Sequence, residues 1–328
     1  GYGTLRDNTT ADNGTAFGYQ ALNLNTTGVQ NTALGANSLD ANTTGNYNTA
    51  VGNAALTDNT TGEQNTGIGL SALFDNTTGG NNTAVGLQSL MKNTTANNNT
   101  AVGVYALKEN TTATNNTAVG KSALESNTTG FANVAIGYEA AKNQNCNYST
   151  IIGDRANGSG ALSGDHNTLI GHYSGYSSTS ALRNTALGSN TLSSNTEGDD
   201  NTAIGYATLN LNTTGADNTA LGSRALDANT SGNNNVAIGV QALTTATTAG
   251  NNTAVGMYSG QAVTTGGANT AVGYMSLYGL TTGSDNIAIG KQTLQASTNQ
   301  SNNVAIGNDC LKANTGNSNV GVGHIVLQ

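Results

Sequence analysis

The sequence predicts an all-β chain, a repetitive parallel β-solenoid or β-roll built from 17-residue coils. Three observations predict it. One phrase recurs throughout, as "NTTGNYNTAVG" at 42–52, "NTTGEQNTGIG" at 59–69 and "NTTGGNNTAVG" at 76–86. Its period is too short for a helical pair, which takes 30 or more residues. Each unit sets two short apolar groups between turns rich in Asn and Gly.

The period comes first. Counting from the residue that opens "NTAVG", nineteen anchors run from Gly14 to Asn319, and fifteen of the eighteen steps between them are 17 residues. The other three are a 16 followed by an 18 over 133–167, which restores the phase, and a final 16 from 303 to 319. The repeat therefore reads as one domain, 1–328, of about nineteen coils, irregular at 138–167 and 308–319. Coils stacked at about 4.8 Å would extend roughly 90 Å. The chain opens in mid-phrase at Gly1, and it reads as a fragment of a longer fibre.

The "TAVG" and "xxAL" groups each read as a short strand, with "NTTG" and the glycine after "TAV" as turns. Asn bonds its own turn and Gly accepts positive φ without steric cost. The fourth position of "NTAVG" is apolar in every coil: Val51, Ile68, Val85, Val102, Val119, Ile136 and onward. That column, with Leu56, Leu73 and Leu107 of the second group, is expected to form the inward core. The middle column, Ala50, Ala84, Ala101 and Ala118, would then point away from the core. It stays small, so it is expected to pack against another chain. Strands apolar on both faces imply cover on both sides. The two positions after the glycine hold Tyr, Lys, Glu, Arg, Asp and His and read as the solvent strip.

Composition excludes several classes. Charged residues are 9% of the chain, Pro and Trp are absent, and net charge is −8. So little charge does not keep a chain open. Ten Lys and Arg, spread thinly, cannot neutralise a row of phosphates, which argues against nucleic acid. No apolar run approaches the roughly 20 residues of a membrane helix.

Several local patterns invite chemistry and fall short of it. "VGKS" at 119–122 lacks the glycine that a phosphate loop needs five residues earlier. His166 and His172 lie in the irregular stretch near Asp154 and Asp165, without the converging spacing of a metal site. Glu197, Asp199 and Asp200 occur once, whereas a calcium repeat would recur in every coil. Cys146 and Cys310 are about ten coils apart, roughly 45 Å by stacking, and cannot bond within one solenoid. Cys310 falls in a small column and reads as a substitute for Ala. The "NTT" phrase is also a glycosylation sequon. At Asn42, Asn59, Asn76 and Asn93 the preferred reading is a ladder of turn amides bonded from coil to coil. No cofactor, metal or catalytic residue is expected, and the chain does not read as an enzyme.

"NVAIGYEA" at 133–140, "NVAIG" at 235–239 and 303–307, and "NIAIG" at 286–290 resemble the head repeat of trimeric autotransporter adhesins, the YadA-like β-roll. The longer "NTTGxxNTAVGxxAL" unit is similar to repeats in phage and other viral tail-fibre proteins. The resemblance covers essentially the whole chain, although the family's units are commonly a few residues shorter. It implies a left-handed roll and a homotrimer. It also implies an extracellular place, on a bacterial cell surface or a virion fibre. The expected function is the structural shaft or head of a trimeric fibre used for adhesion or receptor display. The alternative is a carbohydrate-active or carbohydrate-binding tailspike segment. Tyr19, Tyr138, Tyr206 and Tyr274 in the solvent strip are the expected contacts to a host glycan or matrix ligand by stacking.

Overall fold

Each coil contributes one strand of three residues, such as Thr49–Val51 and Thr66–Ile68. The computed structural model describes residues 1–326 and contains nineteen such strands, all at "TAV"-type positions. The chain is an all-β parallel β-solenoid of about eighteen coils with 17 residues per turn. It divides into two compact units, Gly1–Ser163 and Gly164–Gln328, with the same architecture.

In the first unit, nine strands from Thr15–Phe17 to Thr150–Ile152 stack in sequence order. Thr49 pairs with Thr66, Ala50 with Gly67 and Val51 with Ile68, in parallel. In the second unit, Thr168–Ile170 through Val320–Val322 do the same. The two 16-residue steps do not slip this register: Val134 still pairs with Thr150, and Val304 with Val320. The lost residue is absorbed in a turn, because a slip by one would exchange the strand's two faces.

The strand faces are the reverse of the sequence expectation. Ala50, Ala84, Ala101 and Ala118 are fully buried inside their own chain. Val51, Val85 and Val119 are half-buried, while Ile68, Val102 and Ile136 are 37–39% exposed. The Ala column is therefore the core side and cannot meet a neighbouring chain. The Val and Ile column points outward with Thr49, Thr66 and Thr83. The reason is space. A coil of 17 residues encloses a narrow interior, and Leu56, Leu73 and Leu107 fill it from the opposite wall. An ideal Cβ on Gly67 would lie 3.3 Å from Leu56 Cγ, so a methyl group is the largest side chain that fits there easily.

The "AL" group is not a second strand. The segment is a run of turns in which Ala54 and Leu56 take φ of 57° and 53°. These left-handed residues rotate the peptide planes, so Ala55 and Leu56 both point inward although they are adjacent. A non-glycine residue in this region costs about 1–2 kcal/mol. Burying a leucine contributes about 1.5–3 kcal/mol, enough to hold the conformation in coil after coil. Backbone bonds between coils continue through the turns: Leu56 N donates to Ala72 O at 2.9 Å, and Ala54 N to Ala36 O at 2.9 Å.

The glycine that follows each strand is required by approach as well as by φ. Gly52 has φ 134°, and a Cβ there would lie 2.5 Å from the carbonyl oxygen of Gly69. Stacked coils meet backbone to backbone at this corner, which leaves no room for a side chain.

Candidate functional site

The outward strand face is the most regular surface of each unit. In the first unit Thr32, Thr49, Thr66, Thr83, Thr100 and Thr117 form one column and Leu34, Val51, Ile68, Val85, Val102 and Val119 the other. In the second unit the Thr column also turns aliphatic, at Val236, Ile287, Val304 and Val320. Ile287 and Ile289 are both about 40% exposed. No strand in the described residues contains a charged side chain. The face is thus an uncharged array of Thr and aliphatic columns that the single chain leaves partly exposed.

The opposite property holds at the "NTT" corner, which is polar and closed. Asn59 Nδ2 donates to Asn42 Oδ1 at 2.8 Å and to Gly62 O at 3.0 Å. Asn76 Nδ2 donates to Asn59 Oδ1, and Asn93 Nδ2 to Asn76 Oδ1, each at 2.8 Å. All four Asn of this run are fully buried. The ladder therefore forms as expected. A glycan at one of these sequons would attach to Nδ2, which is enclosed and already uses both hydrogens. The next residue adds a link of its own, with Thr60 Oγ1 donating to Thr77 O at 3.0 Å.

A second ladder runs through the anchor residues. Asn48 Nδ2 donates to Gly62 O at 2.8 Å, and Asn48 Oδ1 accepts from the backbone N–H of Asn65 at 2.9 Å. Sequence reasoning used these Asn only to count coils. Their near-constant identity was the available signal, since a merely polar turn position would vary.

The expected contact residues in the solvent strip are where the sequence puts them. Tyr19 and Tyr206 are about half exposed, and Tyr138 and Tyr274 are 38% and 39% exposed. Tyr138 is flanked by Lys121 Nζ at 5.8 Å and Arg155 Cζ at 5.2 Å from its ring centre, which leaves a cationic surrounding. Tyr258 and Tyr278, not singled out from sequence, lie against each other at 6.4 Å between ring centres.

Several charged residues pair across coils. Lys92 bonds Glu109 one coil on, and that bond holds the Glu109 carboxyl below its usual range. Arg183 makes two bonds to Asp200, at 2.7 Å each, which lower the Asp200 pKa. The acidic cluster at 197–200 is thus split between partners: Asp199 Oδ1 accepts from Leu182 N at 2.8 Å. Asp58 and Asp75 differ. Partial burial raises both, and Asp75 raises Asp58 further.

Cys310 is buried in the small column as expected, and Cys146 is buried too. Cys146 Sγ lies 3.4 Å from Gln144 Oε1. Among the described residues no group of three or more His, Cys, Asp and Glu is placed to hold a metal ion, and no helix is long and apolar enough to cross a membrane. The described residues enclose no pocket. A scan against protein-family models finds no match for this chain, and a search of the curated proteins finds no relative.

Proposed function

We propose that this chain is a structural segment, shaft or head, of an extracellular trimeric fibre that serves adhesion or receptor display. The observation that carries the reading is the outward strand face. It is uncharged, β-branched and aliphatic in coil after coil, and in the single chain it is left half exposed. Burying apolar area stabilises by roughly 25 cal/mol per Å², so copies of the chain gain by covering these columns with one another. The copies meet through Val51, Ile68, Val102 and Ile136 and their equivalents, not through the Ala column.

The resemblance to the head repeat of trimeric autotransporter adhesins supplies the number three and the left-handed coil. Identical chains favour closed rotational symmetry, and three similar faces around an axis satisfy it. The extracellular place, on a bacterial surface or a virion, rests on the same resemblance. Mechanically, coil-to-coil amide ladders and backbone bonds make every coil a brace for the next. The reading assigns the segment binding and spacing, not catalysis.

Native mass spectrometry of the intact chain tests it. Three copies are expected. A single copy at micromolar concentration would overturn it.

A further inference from the structure

The second unit carries an aromatic patch with a composition unlike the rest of the solvent strip. Tyr258 and Tyr274 have ring centres 6.3 Å apart at 63°, and Tyr258 and Tyr278 6.4 Å apart at 88°. Met257 lies directly before Tyr258 in sequence and is 41% exposed, and Tyr274 is 39% exposed. Tyr258 and Tyr278 are half-buried, so the rings are held in place while one side of the group stays open.

Two facts decide what this patch fits. The first is charge. From Ala228 to Ser284 the sequence contains no Lys, Arg, Asp, Glu or His. Lys291 is the first charge met beyond Tyr274 in its own column. By contrast, Tyr138 lies between Lys121 and Arg155, and Tyr105 has Lys108 Nζ 5.3 Å from its ring centre. The second is the polar company. Gln241 and Gln261 occupy the columns of Tyr258 and Tyr278 one coil earlier, and Gln261 Nε2 donates to Gln241 Oε1 at 3.2 Å. That bond uses one donor and one acceptor of two amides that carry more. The column also explains why the patch is not another chain-to-chain face. The same position holds Lys121, Asp154 and Lys291 in other coils, which a continuous apolar interface would not accept.

We infer that Tyr258, Tyr274 and Tyr278, with Gln241 and Gln261, form a binding surface for an uncharged oligosaccharide. Pyranose rings present apolar C–H faces to aromatic rings and hydroxyls to amides. Neither needs a charged partner, and a charged sugar would lose its hydration here without compensation. The rings sit on two successive coils, Tyr258 on one and Tyr274 with Tyr278 on the next, about 4.8 Å apart by stacking, a spacing comparable with one sugar unit. Two adjoining sugars of an oligosaccharide could therefore lie across these coils without a cleft. This inference rests on the adhesion reading and names the ligand class for it.

The test uses the intact chain and a panel of hexasaccharides of glucose, mannose, galactose and N-acetylglucosamine, beside a hexauronate and a sialylated glycan. Binding is followed by saturation-transfer NMR and calorimetry, with native mass recorded on the same samples. At least one neutral hexasaccharide is expected to bind, with affinity that does not change with salt. Tyr274→Ala and Tyr258→Ala should each weaken it by about tenfold or more, while Tyr47→Ala, at an exposed tyrosine of the other unit, leaves it unchanged. Circular dichroism of each variant separates lost binding from lost folding, and Tyr274→Phe should retain most of the affinity. No binding across the neutral panel, binding of the charged glycans alone, or undiminished binding by a folded Tyr258→Ala/Tyr274→Ala variant would overturn the inference. So would a change in copy number on Tyr274→Ala, which would make the patch a contact between chains. Three copies without sugar binding sink this inference alone. One copy with sugar binding sinks the trimeric reading alone.

Discussion

Leu169 occupies the space that Gly175 leaves empty: a Cβ on Gly175 would lie 2.6 Å from Leu169 Cδ1. In regular coils the strand carries Ala and the turn carries Leu. Here the strand carries the leucine, and the turn carries glycine. Both residues are buried in the second unit, and together they are one methylene smaller than an Ala–Leu pair. The first unit shows a similar shift, with Ile151 on the strand and Ala141 in the leucine column, both fully buried.

The exchange is open to a double-mutant cycle. Leu169→Ala alone should lower stability by about 2–5 kcal/mol through the cavity it leaves. Gly175→Leu alone should also destabilise, because its Cβ meets Leu169. The double variant restores the regular arrangement and should recover most of the loss. Gly175 already has φ 58°, as the leucines of this column do. Urea midpoints of the four proteins measure the coupling.

The contrast between two glycines checks the backbone account. Gly52→Ala places a Cβ 2.5 Å from the Gly69 carbonyl oxygen at φ 134°, and it should cost several kcal/mol. Gly14→Ala meets nothing nearer than 3.9 Å and should stay within about 0.5 kcal/mol of the parent. Equal urea midpoints for the two variants would refute the close-approach argument.

For the amide ladder the relevant variant is Asn59→Ala. It removes the donor to Asn42 and leaves the Nδ2 of Asn76 with only one of its two acceptors, the Gly79 carbonyl, all at fully buried sites. The expected loss is about 1–3 kcal/mol. The same enclosure predicts that the folded chain is not glycosylated at Asn59 or Asn76. Intact mass after incubation of the folded protein with a glycosylating extract reads this directly.

Much of this was legible in the sequence, but the facing of the strand was not. The 17-residue step, the turn at "NTTG" and the inward Leu56, Leu73 and Leu107 follow from spacing and residue type. Alternation along "TAV" says that Ala50 and Val51 face opposite ways, and hydrophobicity alone favours the larger one inside. Volume decides the other way, because the coil is too narrow to hold Val51 opposite Leu56. A column that is always Ala signals a tight interior as well as it signals a close neighbour. The left-handed φ of Leu56 left no mark at all, since leucine is not a residue from which positive φ is expected. The anchor ladder through Asn48 had a mark, near-constant Asn, that the count of coils obscured.

Asp58 and Asp75 give a pH dependence with an unusual sign. Burial raises both pKa values from 3.8, so in the window just above 3.8 the folded chain holds more protons than the unfolded one. Stability from these two groups is then lost as pH rises through that window. Asp58→Asn and Asp75→Asn should therefore raise the urea midpoint at pH 7. Their advantage should shrink as pH falls through the window to below 3.8. Glu109 has the opposite sign: its pKa is lowered from 4.5 by Lys92, and its contribution is lost on acidification. A Glu109→Gln variant should be less stable than the parent at pH 7 and converge with it in acid.

The central claim is that copies of the chain meet on the outward Val and Ile column. The most direct measurement is sedimentation equilibrium on the parent and on an Ile68→Lys/Val102→Lys/Ile136→Lys variant. All three positions are 37–39% exposed in the single chain, so the lysines do not disturb a coil interior. The account predicts three chains for the parent and one for the variant, with the same far-ultraviolet circular dichroism. A monomeric parent, or a folded variant that remains a trimer, would contradict it.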